Sequence, residues 1–225
     1  MAIVTGAQAK KYFSYPTMLK YFIYTIIAAL VLGYLKIWAG LAVALIIAGL
    51  IFKFGMTDVP TDQDIEDTYA NFAIQREDSA LTALNIQKSD LIRSTDWFWS
   101  VSGGIQGHEK RYRKGSDDIQ RANTRSFLLV LYAENQIMSY EVDYNIEAEV
   151  VSKANNSEWF YKDVVGVEVG PDDRSGQNGE MFILRTSGGA KYFPLSNNTS
   201  QDAADEDKPR QVMNSIRTML REKKA

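Results

Sequence analysis

FLLVLYAENQIMSYEVDY, residues 127–144, is the stretch on which the fold turns. Phe127 to Tyr132 form an unbroken apolar run of strand length, which reads as a buried strand. Ala133, Glu134 and Asn135 make a turn. Beyond it Met138, Tyr140, Val142 and Tyr144 alternate with Ser139, Glu141 and Asp143, the period-two pattern of a half-exposed strand. The stretch therefore predicts an antiparallel hairpin. Toward the C-terminus, further strands are expected at 157–161, 164–169, 180–186 and 190–195, the last two joined by Ser187, Gly188 and Gly189 as a short hairpin turn. The polar segments 170–179 and 196–207 read as mobile loops. Pro209 then opens a helix in which Val212, Met213, Ile216, Met219 and Leu220 share one stripe, with Arg217, Arg221, Lys223 and Lys224 near its C-terminal end, where the helix dipole favours cations. An antiparallel sheet capped by a C-terminal helix is the result.

On the N-terminal side, Thr61 is a suitable N-cap for an amphipathic helix over 61–80, with Ile65, Tyr69, Phe72, Ala73 and Ala80 at helical spacing and Asp62, Asp64, Glu66 and Asp67 in its first turns. Between 81 and 104 short apolar runs favour strands over helices. The run Trp97, Phe98 and Trp99 within it reads as half core and half surface in a strand; its other role is an exposed partner-binding site or a contact with lipid headgroups.

The first 56 residues contain five Lys and no acid, whereas the remainder has 20 basic against 28 acidic residues. Such asymmetry points to a membrane-contacting part and a water-soluble part, which the mean hydropathy of -0.24 averages away. Between residues 18 and 54 only Lys20, Lys36 and Lys53 are charged, and they separate two apolar blocks, 21–35 and 37–52. With flanking residues each block approaches the ~17 residues needed to span a bilayer as a helix. Tyr21, Tyr24, Tyr34, Trp38, Phe52 and Phe54 lie near the block ends, where aromatic rings anchor at the headgroup level. Lys36, between Gly33 and Gly40, marks the hairpin tip. Lys10, Lys11, Lys20 and Lys53 flank the paired ends, so the positive-inside rule places both termini in the cytosol and the chain in the inner (cytoplasmic) membrane. A cleaved signal peptide and a re-entrant hairpin are the competing readings. Small residues of the second block, Ala39, Gly40, Ala42, Ala44, Ala48 and Gly49, suit packing on the first block. The expected organisation is a cytosolic tail (1–17), a transmembrane hairpin (18–56), a linker helix and the start of the soluble region (57–104), and a β domain (105–225).

The segments FLLVLYAENQIMSY, EWFYKDVVGVEV, MFILRTSGGAKYF and QVMNSIRTMLREKK, within residues 125–224, resemble the pleckstrin-homology-like (PH-like) domains of bacterial membrane proteins. The resemblance rests on the order of elements and covers less than half of the chain. It implies an α+β membrane protein whose small bent antiparallel sheet, capped by a helix, serves as an interaction platform, and it implies no catalytic residues.

The residues themselves restrict the chemistry. Without Cys there is no disulfide, thiolate metal site or Cys nucleophile, and His108 is the only His. No nucleophile elbow, phosphate loop, dinucleotide turn or paired-His zinc motif occurs. Acids at Asp172, Asp173, Asp202, Asp205, Glu206 and Asp207 do not follow a calcium-loop spacing and read as solvated, so neither a metal nor a cofactor is expected. Lys110, Arg111, Arg113 and Lys114 form a basic run, the candidate contact for an anionic lipid headgroup; the alternative is a solvated loop balanced by Asp117 and Asp118. The net acidity of the soluble part argues against nucleic acid. These readings converge on a non-enzymatic adaptor or accessory subunit that docks a protein partner at the membrane. An anionic-lipid sensor and a homo-oligomeric channel-type subunit are the alternatives.

Overall fold

The fold, in a computed structural model, is described for residues 3–171, 180–195 and 207–224. Most of the two expected polar loops therefore lies outside the described residues. Two compact units make up the chain, Met1–Thr68 and Tyr69–Ala225.

In the first unit, Thr5 caps helix α1 (Gly6–Tyr34): its hydroxyl accepts the Gln8 N–H while the Gln8 side chain accepts the Thr5 N–H. That reciprocal cap starts the helix well before the apolar block, so residues 6–17 form its first turns. At about 1.5 Å per residue, the 29 residues of α1 extend roughly 43 Å, longer than a ~30 Å hydrocarbon core. The surplus turns carry Ala9, Tyr12 and Phe13, which are buried. They are tied down by three bonds, from Tyr12 Oη to Asp62 Oδ1 (2.5 Å), from Lys11 Nζ to Thr57 O (3.2 Å) and from Val4 N to Thr68 Oγ1 (3.0 Å).

After Leu35, Lys36 adopts a left-handed conformation (φ 60°) and reverses the chain into α2 (Trp38–Ile51), which continues through one π-helical turn, Phe52–Met56. Both helices are long and apolar enough to cross a membrane. They pack on each other through Ala29, Ala44 and Ala48, all buried, and a Cβ on Gly40 would lie 3.2 Å from Leu32 Cδ1. Gly40, Ala44 and Ala48 thus form the packing stripe expected of the second block, while Ala42 and Gly49 point away from it.

The helix expected at 61–80 is divided. Helix α3 (Asp62–Gln75) begins at a reciprocal Thr61–Asp64 cap, and α4 (Glu77–Leu84) follows a break at Arg76, whose N–H bonds to Ala73 O rather than one residue further back. Asn85, left-handed at φ 54°, closes α4. Strand structure between 81 and 104 is correspondingly confined to β1 (Asp96–Val101), because 81–84 complete α4 and Lys88–Asp90 form a 3-10 turn.

The second unit contains β2 (Tyr112–Lys114), β3 (Gln120–Ala122), β4 (Thr124–Tyr132), β5 (Gln136–Asn145), β6 (Val150–Val151), β7 (Asn155–Phe160), β8 (Val164–Pro171), β9 (Glu180–Thr186) and β10 (Gly189–Pro194), then helix α5 (Asp207–Lys224). All pairings are antiparallel. The hairpin of 127–144 forms in the expected register, Phe127 opposite Val142 and Tyr132 opposite Ile137. In place of the single sheet expected, there are two main ones, β1-β4-β5 with β7 and β6 on the far side of β5, and β10-β9-β8, besides the two-stranded β2–β3 arm. A tight turn after Phe160 (Asp163 N to Phe160 O, 2.9 Å) and a bulge between Val164 and Gly166 redirect β8 to pair with β9 instead of β7. Gly189, at φ 140°, opens β10 directly after the turn from β9, where a side chain would strain the backbone.

The sheets close on one core. Phe98 lies 5.2 Å from Phe182 and 6.4 Å from Phe193, ring to ring, among Leu128, Val130 and Ile137, and α5 covers it with Val212, Ile216 and Met219. The opposite face of β1, β4 and β5 is covered as well. Tyr69 and Phe72 of α3 reach Trp99 (4.9 and 5.8 Å), and Phe72 stacks on Tyr144 at 4.0 Å. Every residue of β4 is consequently buried, which explains why Phe127 to Tyr132 show no alternation. On the exposed edge of β8, Arg217 Nη2 and Lys224 Nζ donate to Val167 O (3.1 Å) and Val164 O (2.5 Å), so carbonyls that would otherwise recruit another strand are occupied.

Candidate functional site

Three residue groups carry the functional expectations. The first is the aromatic belt of the helix pair. Tyr34 is 88% exposed and Trp38 70%, and Tyr21, Tyr24, Phe52 and Phe54 also point outward. They cluster at the two ends of the hairpin. Phe52 also meets Phe22 across the helix pair, with ring centroids 6.0 Å apart. Apolar side chains between the two ends, such as Leu30 and Ile46, are exposed too.

The second group, Trp97, Phe98 and Trp99, is placed by the register of β1 on β4, Trp97 opposite Leu129, Phe98 opposite Leu128 and Trp99 opposite Phe127. Phe98 and Trp99 are buried, one on each face of the sheet. They are packing residues with no surface left for docking. Trp97 is half-buried beneath Lys208 of α5, whose ammonium lies 3.4 Å from the ring centroid.

The third group lies in the β2–β3 arm between β1 and β4. Its cations are engaged inside the arm and at its base: Lys110 Nζ donates to Ser102 O (2.6 Å), Arg111 pairs with Glu109 (2.9 Å) and Glu147 (3.4 Å), and Lys114 pairs with Asp118 (2.9 Å). Arg113 stands opposite Arg121 in the register, and Arg121, itself buried, is bonded to Asp117 (2.6 Å). Lys114 thus meets one of the two acids expected to balance the run, Asp118, whereas Asp117 is bonded to Arg121.

Asn123 holds that arm, and no motif marked it beforehand. Buried to 1% exposure, it accepts the Arg111 N–H (2.9 Å) and the Thr124 hydroxyl (3.2 Å), and it donates to Glu109 O and Glu147 Oε1 (3.0 Å each). Asn145 continues the network through Thr124 Oγ1 (2.7 Å). At the far end of the arm, the two bonds from Arg121, reinforced by the Ile119 N–H, hold the Asp117 carboxyl well below the usual carboxylate range. A pKa lowered by folding means that this contribution is complete above the unfolded carboxylate value of about 4 and is lost as the pH falls through the folded value. Asp117→Ala is therefore expected to speed amide exchange at Ile119 at pH 7, while the wild-type turn keeps its protection, corrected for intrinsic rates, down to about pH 4. Equal exchange in the two proteins at pH 7 would show that the pair does not hold the turn.

A polar cluster also joins β4 to α5. Tyr132 Oη donates to Asp96 Oδ2 (2.7 Å), and Arg93 lies over the Tyr132 ring (5.1 Å) while bonding Ser215 Oγ (3.1 Å). Burial first, and the Asp96 carboxylate second, push the Tyr132 hydroxyl far above its ordinary range, so it is a fixed donor. His108 is exposed in a turn, its N–H bonded to Ile105 O. Among the described residues no group of three or more His, Cys, Asp or Glu could hold a metal ion; Asp172, Asp173, Asp202, Asp205 and Glu206 lie outside them. No family model, curated protein or solved structure matches the chain.

Proposed function

We propose that the protein is a non-enzymatic, membrane-anchored adaptor or accessory subunit. In this reading α1 and α2 form a hairpin through the cytoplasmic membrane with both termini in the cytosol, and the second unit is a PH-like domain that docks a protein partner. The observation that carries it is the joining, in one chain, of a helix pair with outward apolar faces to a β unit that closes its own core. The order of that unit supports the PH-like assignment: β1, β4, β5 and β7 follow one another as neighbours, β8, β9 and β10 form a second meander, and a C-terminal helix packs on both sheets' core. Confinement to a membrane raises the effective concentration of any partner in the same bilayer, so modest contacts suffice for docking. Lipid sensing through Lys110, Arg111, Arg113 and Lys114 is the weaker reading because Lys110, Arg111 and Lys114 already have partners in the structure.

Purification in mild detergent from native membranes, followed by mass measurement of what co-elutes, tests the proposal. A stoichiometric hetero-complex is expected. A homo-oligomer alone would replace it with the channel-type subunit, and release of the chain from membranes by alkaline carbonate would remove the anchor itself.

A further inference from the structure

An open groove runs between α1 and α2 on one side of the helix pair, lined by Tyr21, Tyr24, Ala28 and Leu32 of the first and by Ala39 and Val43 of the second. Its polar atoms are few. Thr25, also in the lining, has its hydroxyl bonded to Tyr21 O (2.8 Å), which leaves the tyrosine hydroxyls at one end. An ordered water needs two to four polar partners, so the body of the groove is a site for hydrocarbon.

Charge identifies which hydrocarbon. From Tyr21 to Leu32 the groove follows α1 for roughly 16 Å, and on α2 it ends at Ala39, beside the Trp38 of the opposite aromatic belt. The tyrosine end also carries a cation: Lys20, exposed, sits one helical turn before Tyr24 on the same flank. A cation and two hydroxyl donors at the mouth of an apolar channel are complementary to a phosphate carrying an acyl chain.

We propose that this groove seats one acyl chain of an anionic glycerophospholipid, drawn from the leaflet on the Lys20 side, with its phosphate held beside Lys20, Tyr21 and Tyr24. The inference rests on the reading of α1 and α2 as a membrane hairpin. Ala28 and Ala39 are exposed lining residues and take no part in the buried helix contact of Ala29, Ala44 and Ala48, so larger side chains there fill the groove without separating the helices.

The full chain, purified in mild detergent with an equal mixture of phosphatidylglycerol and phosphatidylcholine, is examined by native mass spectrometry. The wild type is expected to retain one phosphatidylglycerol. Ala28→Phe with Ala39→Phe is expected to lower that retention about tenfold, whereas Ala42→Phe, on an exposed face outside the groove, leaves it unchanged. Lys20→Gln is expected to keep a bound lipid but lose the preference for the anionic one. Equal retention by the groove-filled and Ala42→Phe proteins overturns the proposal, as does a wild type without preference for phosphatidylglycerol. A second copy or a foreign subunit that the groove-filling pair removes would overturn it in favour of a helix. Alkaline carbonate separates the two levels: a chain that stays in the membrane but retains no lipid defeats only the groove, and a chain that is released defeats the hairpin.

Discussion

Replacing Phe98 with Ala is expected to destabilise the second unit by about 3 to 5 kcal/mol, the cost of removing a phenyl group from a core that cannot fully collapse around the gap. Phe98 is 1% exposed and meets the rings of Phe182 and Phe193, so one truncation loosens the contact between the two sheets as well as the cover provided by Val212 and Ile216. A loss of that size is a large part of the stability of an ordinary domain. Phe160, 51% exposed at the end of β7, is the control, with an expected cost of about 0.5 kcal/mol. Urea unfolding of the detergent-solubilised full chain, followed by tryptophan fluorescence, compares them. Similar midpoints for the two variants would mean that Phe98 is not the residue joining the sheets.

Asn123→Ala is expected to act on one segment more than on the whole. Four groups lose a partner: the Arg111 N–H, the Thr124 hydroxyl, Glu109 O and the Glu147 carboxylate. Because Asn123 is buried, water does not replace all of them, and a cost of about 2 to 3 kcal/mol follows. The backbone bond from Asn123 N to Arg111 O remains, so β2 and β3 stay paired at their base while the side-chain clamp is gone. Limited trypsin digestion reads this directly, since Lys110, Arg111, Arg113 and Lys114 are all cleavage points within the arm. Cleavage there should accelerate about tenfold or more, ahead of cleavage at Arg125 in β4. An unchanged rate would show that the arm is held by its ion pairs alone.

That residue was invisible in the sequence for a physical reason. An Asn between Ala122 and Thr124 carries no periodicity, and its four partners come from positions 109, 111, 124 and 147, brought together only when the arm and the β5–β6 turn meet. The basic run beside it was legible as a cluster of charge, but the pairing of Arg111 with Glu147 depends on a contact 36 residues away. The surplus turns of α1 are a different case. Thr5 and Gln8 have the spacing of a reciprocal cap, and Ala9, Tyr12 and Phe13 the spacing of a buried helical face, so local sequence does contain that signal.

Local periodicity by itself determined the hairpin of 127–144, the strand at Glu180–Thr186, the apolar stripe of α5 and two apolar helical blocks divided at Lys36, because side-chain spacing of two or 3.6 residues is a property of the chain before it folds. Only tertiary structure decided that the strands form two sheets instead of one, that α3 lays Tyr69 and Phe72 on the second face of β4, and that Phe98 and Trp99 face opposite layers, both buried. Alternation states which residues share a face; what covers that face is a choice among distant segments, made by the burial of aromatic surface they achieve together.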